Sequence, residues 1–316
     1  MSDKKKTVPK SNQNLAQKLD SIKEVSSEHP SEVTVVAQAA VDAPKDIGYE
    51  DRIVAFIDIL GFKEIIYRSS RDPELVKRIF YALDVRKDAW ATTYAAEVGI
   101  KKKPEDFDDR FLSFSDCIVM SVGTDVEDIG LLIYGIFKVC RQLLGQGFAS
   151  RGGIAMGQLY HHDETQNIKS GIGAPSMVFG PAFIEAYQFE STHADGPRVI
   201  LQNRIWKKIE DYCEQEPVSK LSKFFRTHVQ RAEDGPAFID LFADFGTSLF
   251  YERKRDLSSE METIKNFICM SLDNSNDKPH FFKKNAELAR EFNRAVERTG
   301  QLEYKIPREK LPKRHS

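Results

Sequence analysis

Three kinds of hydrophobic pattern recur along this chain, and each predicts an element. The run Ile53-Val-Ala-Phe-Ile57 is continuously apolar, as expected of a strand buried on both faces. Asp58-Ile-Leu-Gly61-Phe62 follows, and the glycine breaks the strand. After Asp72-Pro73, apolar residues at Leu75, Val76, Ile79, Phe80 and Leu83 recur at helical spacing, with proline in the first turn where its missing N–H costs nothing. The polar stretch Lys101-Lys-Lys-Pro104-Glu-Asp reads as a loop. Arg110 to Val122 predicts two short strands folded back at Ser115-Asp116. Apolar positions 129, 132, 133, 136, 137, 140, 143 and 144 predict a helix over 127–144, ended by Gly145 and Gly147. A strand through Ile154-Ala-Met, a helix from Gly180-Pro181 over Phe183, Ala186, Tyr187 and Phe189, and a strand Arg198-Val-Ile-Leu201 complete the series.

Strand, helix, strand, strand, helix, strand, helix is an α+β order. It predicts a ferredoxin-like βαββαβ sheet with helices on one face. Beyond it the pattern predicts a helix near 202–213, a helix or loop to 232, a strand at 237–242, and helices at about 256–272 and 280–298, with a frayed basic end. Residues 1–47 carry no aromatic residue and mix both charge signs, so they read as a mobile tail with at most transient order over 32–41. Three regions result: the tail 1–47, a main domain 48–242, and a helical C-terminal extension 243–316 with a basic tail.

Composition narrows the classes. Of 316 residues, 41% are hydrophobic and 30% charged, which suits a chain with a real core. The formal net charge of −2 does not recruit nucleic acid. No run of about eighteen apolar residues predicts a membrane span, and the lysine-bearing start lacks the apolar stretch of a secretory signal. Cys117, Cys140, Cys213 and Cys269 are scattered, which argues against a zinc ribbon or a disulfide framework and for a reduced, cytoplasmic setting.

Candidate chemistry starts with Asp58, at the end of the first strand, and Asp116, at the following hairpin. In a βαββαβ sheet these positions neighbour each other. Paired carboxylates call for a divalent cation, and Mg²⁺ or Mn²⁺ suits oxygen donors. Two such ions polarise a phosphoryl group and activate a hydroxyl. The turn Ile59-Leu60-Gly61-Phe62 enters a helix, so its backbone N–H groups are candidates to cradle a triphosphate. Taken alone, Asp58 reads equally well as a helix N-cap. His161-His162-Asp163 is a poor metal motif, because adjacent strand residues point to opposite faces. Gly152-Gly153, Gly171 and Gly173 suggest tight turns; no GxGxxG follows a strand. No Ser-His-Asp or Cys-His spacing supports a nucleophile.

Four segments in order carry a family resemblance: Phe56-Ile-Asp-Ile-Leu-Gly-Phe62, Ser113-Phe-Ser-Asp116, Arg151-Gly-Gly-Ile-Ala-Met-Gly157 and Phe179-Gly-Pro-Ala-Phe-Ile-Glu-Ala-Tyr-Gln-Phe-Glu-Ser191. Together they resemble the class III nucleotidyl cyclases over roughly residues 50–242. The resemblance implies conversion of a nucleoside triphosphate to a 3′,5′-cyclic monophosphate and pyrophosphate, at sites formed between two catalytic domains, with 48–242 as that domain. It implies Asp58 and Asp116 as ligands of two Mn²⁺ or Mg²⁺ ions per site, with the Ile59 carbonyl touching a metal. It also implies a homodimer, since one chain carries one catalytic unit.

Departures matter as much. Adenylate cyclases place a purine-reading Lys where this chain has Leu112, and a second polar reader where it has Met177. The helix positions for Asn and Arg hold Ile184 and Gln188. Loss of an arginine that neutralises phosphoryl charge costs orders of magnitude unless another cation replaces it. Arg151 is the first candidate replacement, though it reads equally well as paired with a carboxylate; Lys63, Arg110 and Arg231 are weaker ones. Tyr187 reads as packing in the dimer interface, with stacking near a base as the alternative. These short motifs look most like the Pycsar pyrimidine cyclases, anti-phage enzymes making cyclic UMP or cyclic CMP. UTP or CTP would be the substrate, in a pocket shaped by apolar groups such as Leu112, and a separate effector would read the product. Two alternatives stay open: a purine cyclase, and a catalytically silent nucleotide sensor.

Overall fold

The computed structural model describes residues 47–84, 98–170, 175–232, 234–245 and 257–312. The tail expected over 1–47 lies outside them apart from Ile47, as do Gly171 and Gly173 and part of the 243–316 extension. Residues 48–316 make one compact unit.

The first strand, β1 (Glu50–Ile59), is paired on both sides. Its alternate residues serve two cores: Ile53, Ala55 and Ile57 face one, Val54 and Phe56 the other, and all five are buried. That is why the run reads as unbroken apolar sequence. Gly61, at φ 73°, ends it and starts α1 (Phe62–Ser69). Asp72 then caps α2 (Pro73–Leu83), its side chain accepting from the N–H groups of Glu74 and Leu75 at 3.1 Å each. A hairpin of β2 (Arg110–Phe114) and β3 (Cys117–Val122) follows, turning at Ser115-Asp116. Helix α3 (Val126–Gly145) is apolar nearly all round because core surrounds it, and it leads to β4 (Ser150–His162).

These strands lie in the order β2-β3-β1-β4, every pair antiparallel. The sheet continues through β6 (Val199–Leu201), parallel to β4, to β8 (Ala237–Ile239) and β7 (Val229–Arg231) at its edge. The short β5 (Met177–Phe179) pairs with the far end of β4. This is a mixed α+β structure with an eight-stranded, mostly antiparallel sheet.

Helices cover both faces, not one. Helix α4 (Glu164–Ser170) precedes β5, and α5 (Pro181–His193) lies against β4 and β1 on the side of Val54 and Phe56. Its approach depends on Gly152-Gly153, which sit within β4 rather than in a turn. A Cβ on Gly153 would come within 2.3 Å of the Ala186 carbonyl oxygen. On the opposite side α3 is joined by α6 (Asn203–Gln215), α7 (Lys220–His228), α8 (Leu257–Asp273) and α9 (Pro279–Thr299) in one continuous core. The basic end is not frayed through 312. Ile306 is buried, with its N–H donating to Asn293 Oδ1 (2.8 Å) and its carbonyl accepting from Asn293 Nδ2 (3.1 Å).

Candidate functional site

Sheet register carries Asp58 and Asp116 to the same end of the sheet. Asp58 pairs across β3 with Cys117, the neighbour of Asp116, and across β4 with Arg151. The Ile59 N–H donates to the Asp116 carbonyl oxygen at 3.1 Å, which fixes the hairpin turn against the end of β1. Ser115 in that turn has φ 56°, the single positive φ outside glycine among the described residues. A left-handed backbone costs a side-chain-bearing residue roughly 1–2 kcal/mol, so strain is stored directly beside Asp116.

The charges here are coupled. Burial pushes the Asp58 carboxyl above its usual range and the Asp116 charge adds to this, while Arg151 opposes both. Arg151 Nε lies 3.5 Å from Asp58 Oδ2 and also contacts Glu190 Oε1. Glu190 is buried on the sheet-facing side of α5, and its carboxyl too is raised by burial, with Arg151 opposing and Asp58 reinforcing. Lys284, half-buried on α9, is lowered by burial and then by the Arg151 charge. Burial, then Asp116, Asp58 and Glu190, push the Cys117 thiol up to about 11. Three carboxylates and two cations therefore share one electrostatic neighbourhood. The sequence leaves two readings open for Arg151, a phosphate ligand or the partner of an acid, and its contacts are with two acids, Asp58 and Glu190.

The turn after Asp58 is more committed than its sequence suggests. Its N–H groups at Ile59 and Leu60 are used within the fold, donating to the carbonyls of Asp116 and Ala149 at 3.1 and 2.8 Å. Gly61 and Phe62, at the start of α1, donate to no acceptor among the described residues, and no side chain caps that helix. The phosphate-cradling candidates thus reduce to Gly61 and Phe62.

Leu112 lies half-buried on the α5 side of β2, against the small core of Phe56, Val119 and Ala186. Met177 is partly exposed on β5; Ile184 and Gln188 are exposed on α5. Tyr187 packs its ring edge onto Phe56 at 5.3 Å and leaves half its surface exposed. Arg110 is consumed by Asp108, Glu50 and the His161 carbonyl. Arg231 and Lys63 are exposed. His161 Nδ1 meets Ser121 Oγ at 2.9 Å while His162 Nε2 meets Asn167 Oδ1 at 2.8 Å, so the two rings have separate partners. Among the described residues no three His, Cys, Asp or Glu side chains cluster as a metal site by themselves.

Two members of this neighbourhood were not foreseen. Glu190 had a signal: it continues the buried stripe Ala182, Ala186, Glu190 at four-residue spacing, and an acid on an apolar stripe needs a partner. Lys284 had none, because only the docking of α9 brings it close.

No family model and no curated protein matches the chain. Among solved structures, a bacterial light-regulated adenylyl cyclase aligns with 12% identity and a TM-score of 0.35, covering 83% of this chain and 72% of that one. No helix among the described residues is long and apolar enough to cross a membrane.

Proposed function

We propose that the chain is a cytoplasmic nucleotidyl cyclase acting on a pyrimidine triphosphate, UTP or CTP, with a ferredoxin-like βαββαβ core over 48–242. The observation that carries this reading is the register that sets Asp58 beside the Asp116 hairpin turn at one sheet end, next to an uncapped helix start. The donor set fits two Mn²⁺ or Mg²⁺ ions. Asp58, Asp116 and the Ile59 carbonyl offer only hard oxygen atoms, and burial, with the Asp116 charge adding to it, raises the Asp58 pKa, a cost that a bound cation relieves. When bound, such ions polarise the α-phosphoryl group and acidify the attacking hydroxyl.

The chain's own groups orient the nucleotide. Gly61 and Phe62 N–H groups receive triphosphate oxygens, with the positive end of α1 behind them. Leu112 presents an apolar wall where purine cyclases read the base, which supports the smaller pyrimidine. The 3′-oxygen then bonds to the α-phosphorus, the bond to pyrophosphate breaks, and the hydroxyl proton leaves to water. Phe114, Ile184 and Tyr187 are 76%, 54% and 50% exposed, and Phe114 continues the α5 side of β2 from Leu112. This apolar strip supports a homodimer that completes the site. A role in anti-phage defence, with a separate cyclic-nucleotide effector, rests on the motif resemblance alone.

A second reading, a silent nucleotide sensor, is favoured by Arg151 closing onto Asp58 and by the unmatched Ile184 and Gln188. Incubating the protein with each of the four ribonucleoside triphosphates and Mn²⁺, with mass-spectrometric product identification, separates the readings. Cyclic UMP or cyclic CMP supports the proposal. Purine products support the purine cyclase, and no pyrophosphate release supports the sensor.

A further inference from the structure

A second polar cleft lies between the β6-β8-β7 edge and α9, and Lys284 in its wall adjoins the Asp58 neighbourhood. It measures about 510 Å³ and is lined by seven Lys or Arg and five Asp or Glu side chains. That size is within the roughly 300–1,000 Å³ of ordinary ligand sites, but its lining is charged rather than apolar, so its occupant must be charged. One wall is a single face of α9: Lys283, Glu287, Arg290, Arg294 and Arg298 recur at three- and four-residue spacing, while Ala289, Phe292 and Val296 bury the opposite face.

The sign of that occupant follows from pairing. Four of the five carboxylates are already neutralised: Asp195 by Lys283, Asp234 by Arg198, Asp240 by Arg298, and Glu287 by Arg290 and Arg294. On the cationic side, Arg231 and Lys284 lie in no ion pair among the described residues. Arg198, with only 8% of its side chain exposed, keeps a buried Nε without a hydrogen-bond acceptor. Seven cations against five carboxylates leave this wall with surplus positive charge, which calls for an acceptor-rich anion. The cations run along several turns of α9 and across to Arg231, further than one phosphate reaches.

We infer that this cleft, whose lining includes neither Asp58 nor Asp116, binds a polyphosphate-bearing anion. The inference does not depend on the cyclase reading. The test is calorimetric titration of the full chain with inorganic tripolyphosphate in EDTA, which keeps divalent ions away from the acidic pair. Saturable one-to-one binding is expected, retained within about twofold by Asp58→Asn, and about tenfold or more weaker after Arg231→Glu with Arg294→Glu, whose side chains are exposed. Should the charge-reversed chain lose its native circular dichroism, the Arg231→Gln, Arg294→Gln pair is expected to weaken binding in the same direction. Three results would each overturn the inference: no saturable binding, binding abolished by Asp58→Asn but unchanged in the arginine variants, or inorganic phosphate binding as tightly as tripolyphosphate.

Discussion

Replacing Gly153 with Ala puts a methyl group where α5 already lies. The added Cβ would sit 2.3 Å from the Ala186 carbonyl oxygen and 2.9 Å from the Glu190 nitrogen, both main-chain atoms of a helix that cannot swing aside as a side chain does. Ordinary carbon contacts begin near 3.4 Å, so α5 must retreat by about 1 Å from β4. Overpacking of this kind costs roughly 1–3 kcal/mol. For a unit of this size that lowers the melting temperature by about 3–10 °C. The same retreat withdraws Glu190 from Arg151 and loosens the charge balance at Asp58, so the proposed nucleotide turnover should fall with stability. The assay is thermal unfolding by circular dichroism alongside nucleotide turnover. Gly145→Ala serves as the control, since its Cβ meets nothing within 4 Å and Ala favours the helix, predicting no loss. A Gly153→Ala protein melting within about 1 °C of the parent would refute close contact between α5 and β4.

Other outcomes follow from the same geometry. Asp116→Asn removes a charge that raises the Asp58 pKa, so the Asp58 carboxyl should titrate at lower pH, as carboxyl-carbon NMR would record. Glu291 is pushed up to about 8, chiefly by burial and then by Asp240 and Glu287. The native state therefore holds a proton that the unfolded chain has released, and stability declines as pH rises from about 4.5 to 8. Glu291→Gln should remove that decline in urea unfolding compared across pH. His161 and His228 are lowered by burial to about 3 and about 4, so their contribution is present above about pH 6.5 and lost as pH falls toward those values. His161→Asn should then soften acid unfolding. Ser115→Gly relieves a left-handed serine and should raise stability by up to about 1 kcal/mol, read as a higher urea midpoint, without altering the fold.

Much of this architecture was legible because its signals are local. The unbroken apolar run of β1, the hairpin at Ser115-Asp116 and the apolar periodicity over 127–144 each announce their element. What escaped reading depends on contacts made far along the chain. Gly152-Gly153 looked like a turn because sequence cannot distinguish a glycine needed for positive φ from one needed for close approach. The N–H groups of Ile59 and Leu60 read as free because their acceptors, on Asp116 and Ala149, come from turn and loop positions far along the chain. Arg151 reads equally well as a phosphate ligand or an acid's partner, and only Glu190 on α5 shows how its charge is held. The end of the chain reads as frayed because it is basic and contains proline, yet the Asn293 amide is the clamp that holds Ile306.

Binding of Mn²⁺, followed by electron paramagnetic resonance with a non-cleavable UTP or CTP analogue present, addresses the acidic pair most directly. The account predicts two bound ions per site in the parent protein and marked loss of binding in both Asp58→Asn and Asp116→Asn, with the double variant scarcely worse than either. Undiminished Mn²⁺ binding in both single variants would contradict it.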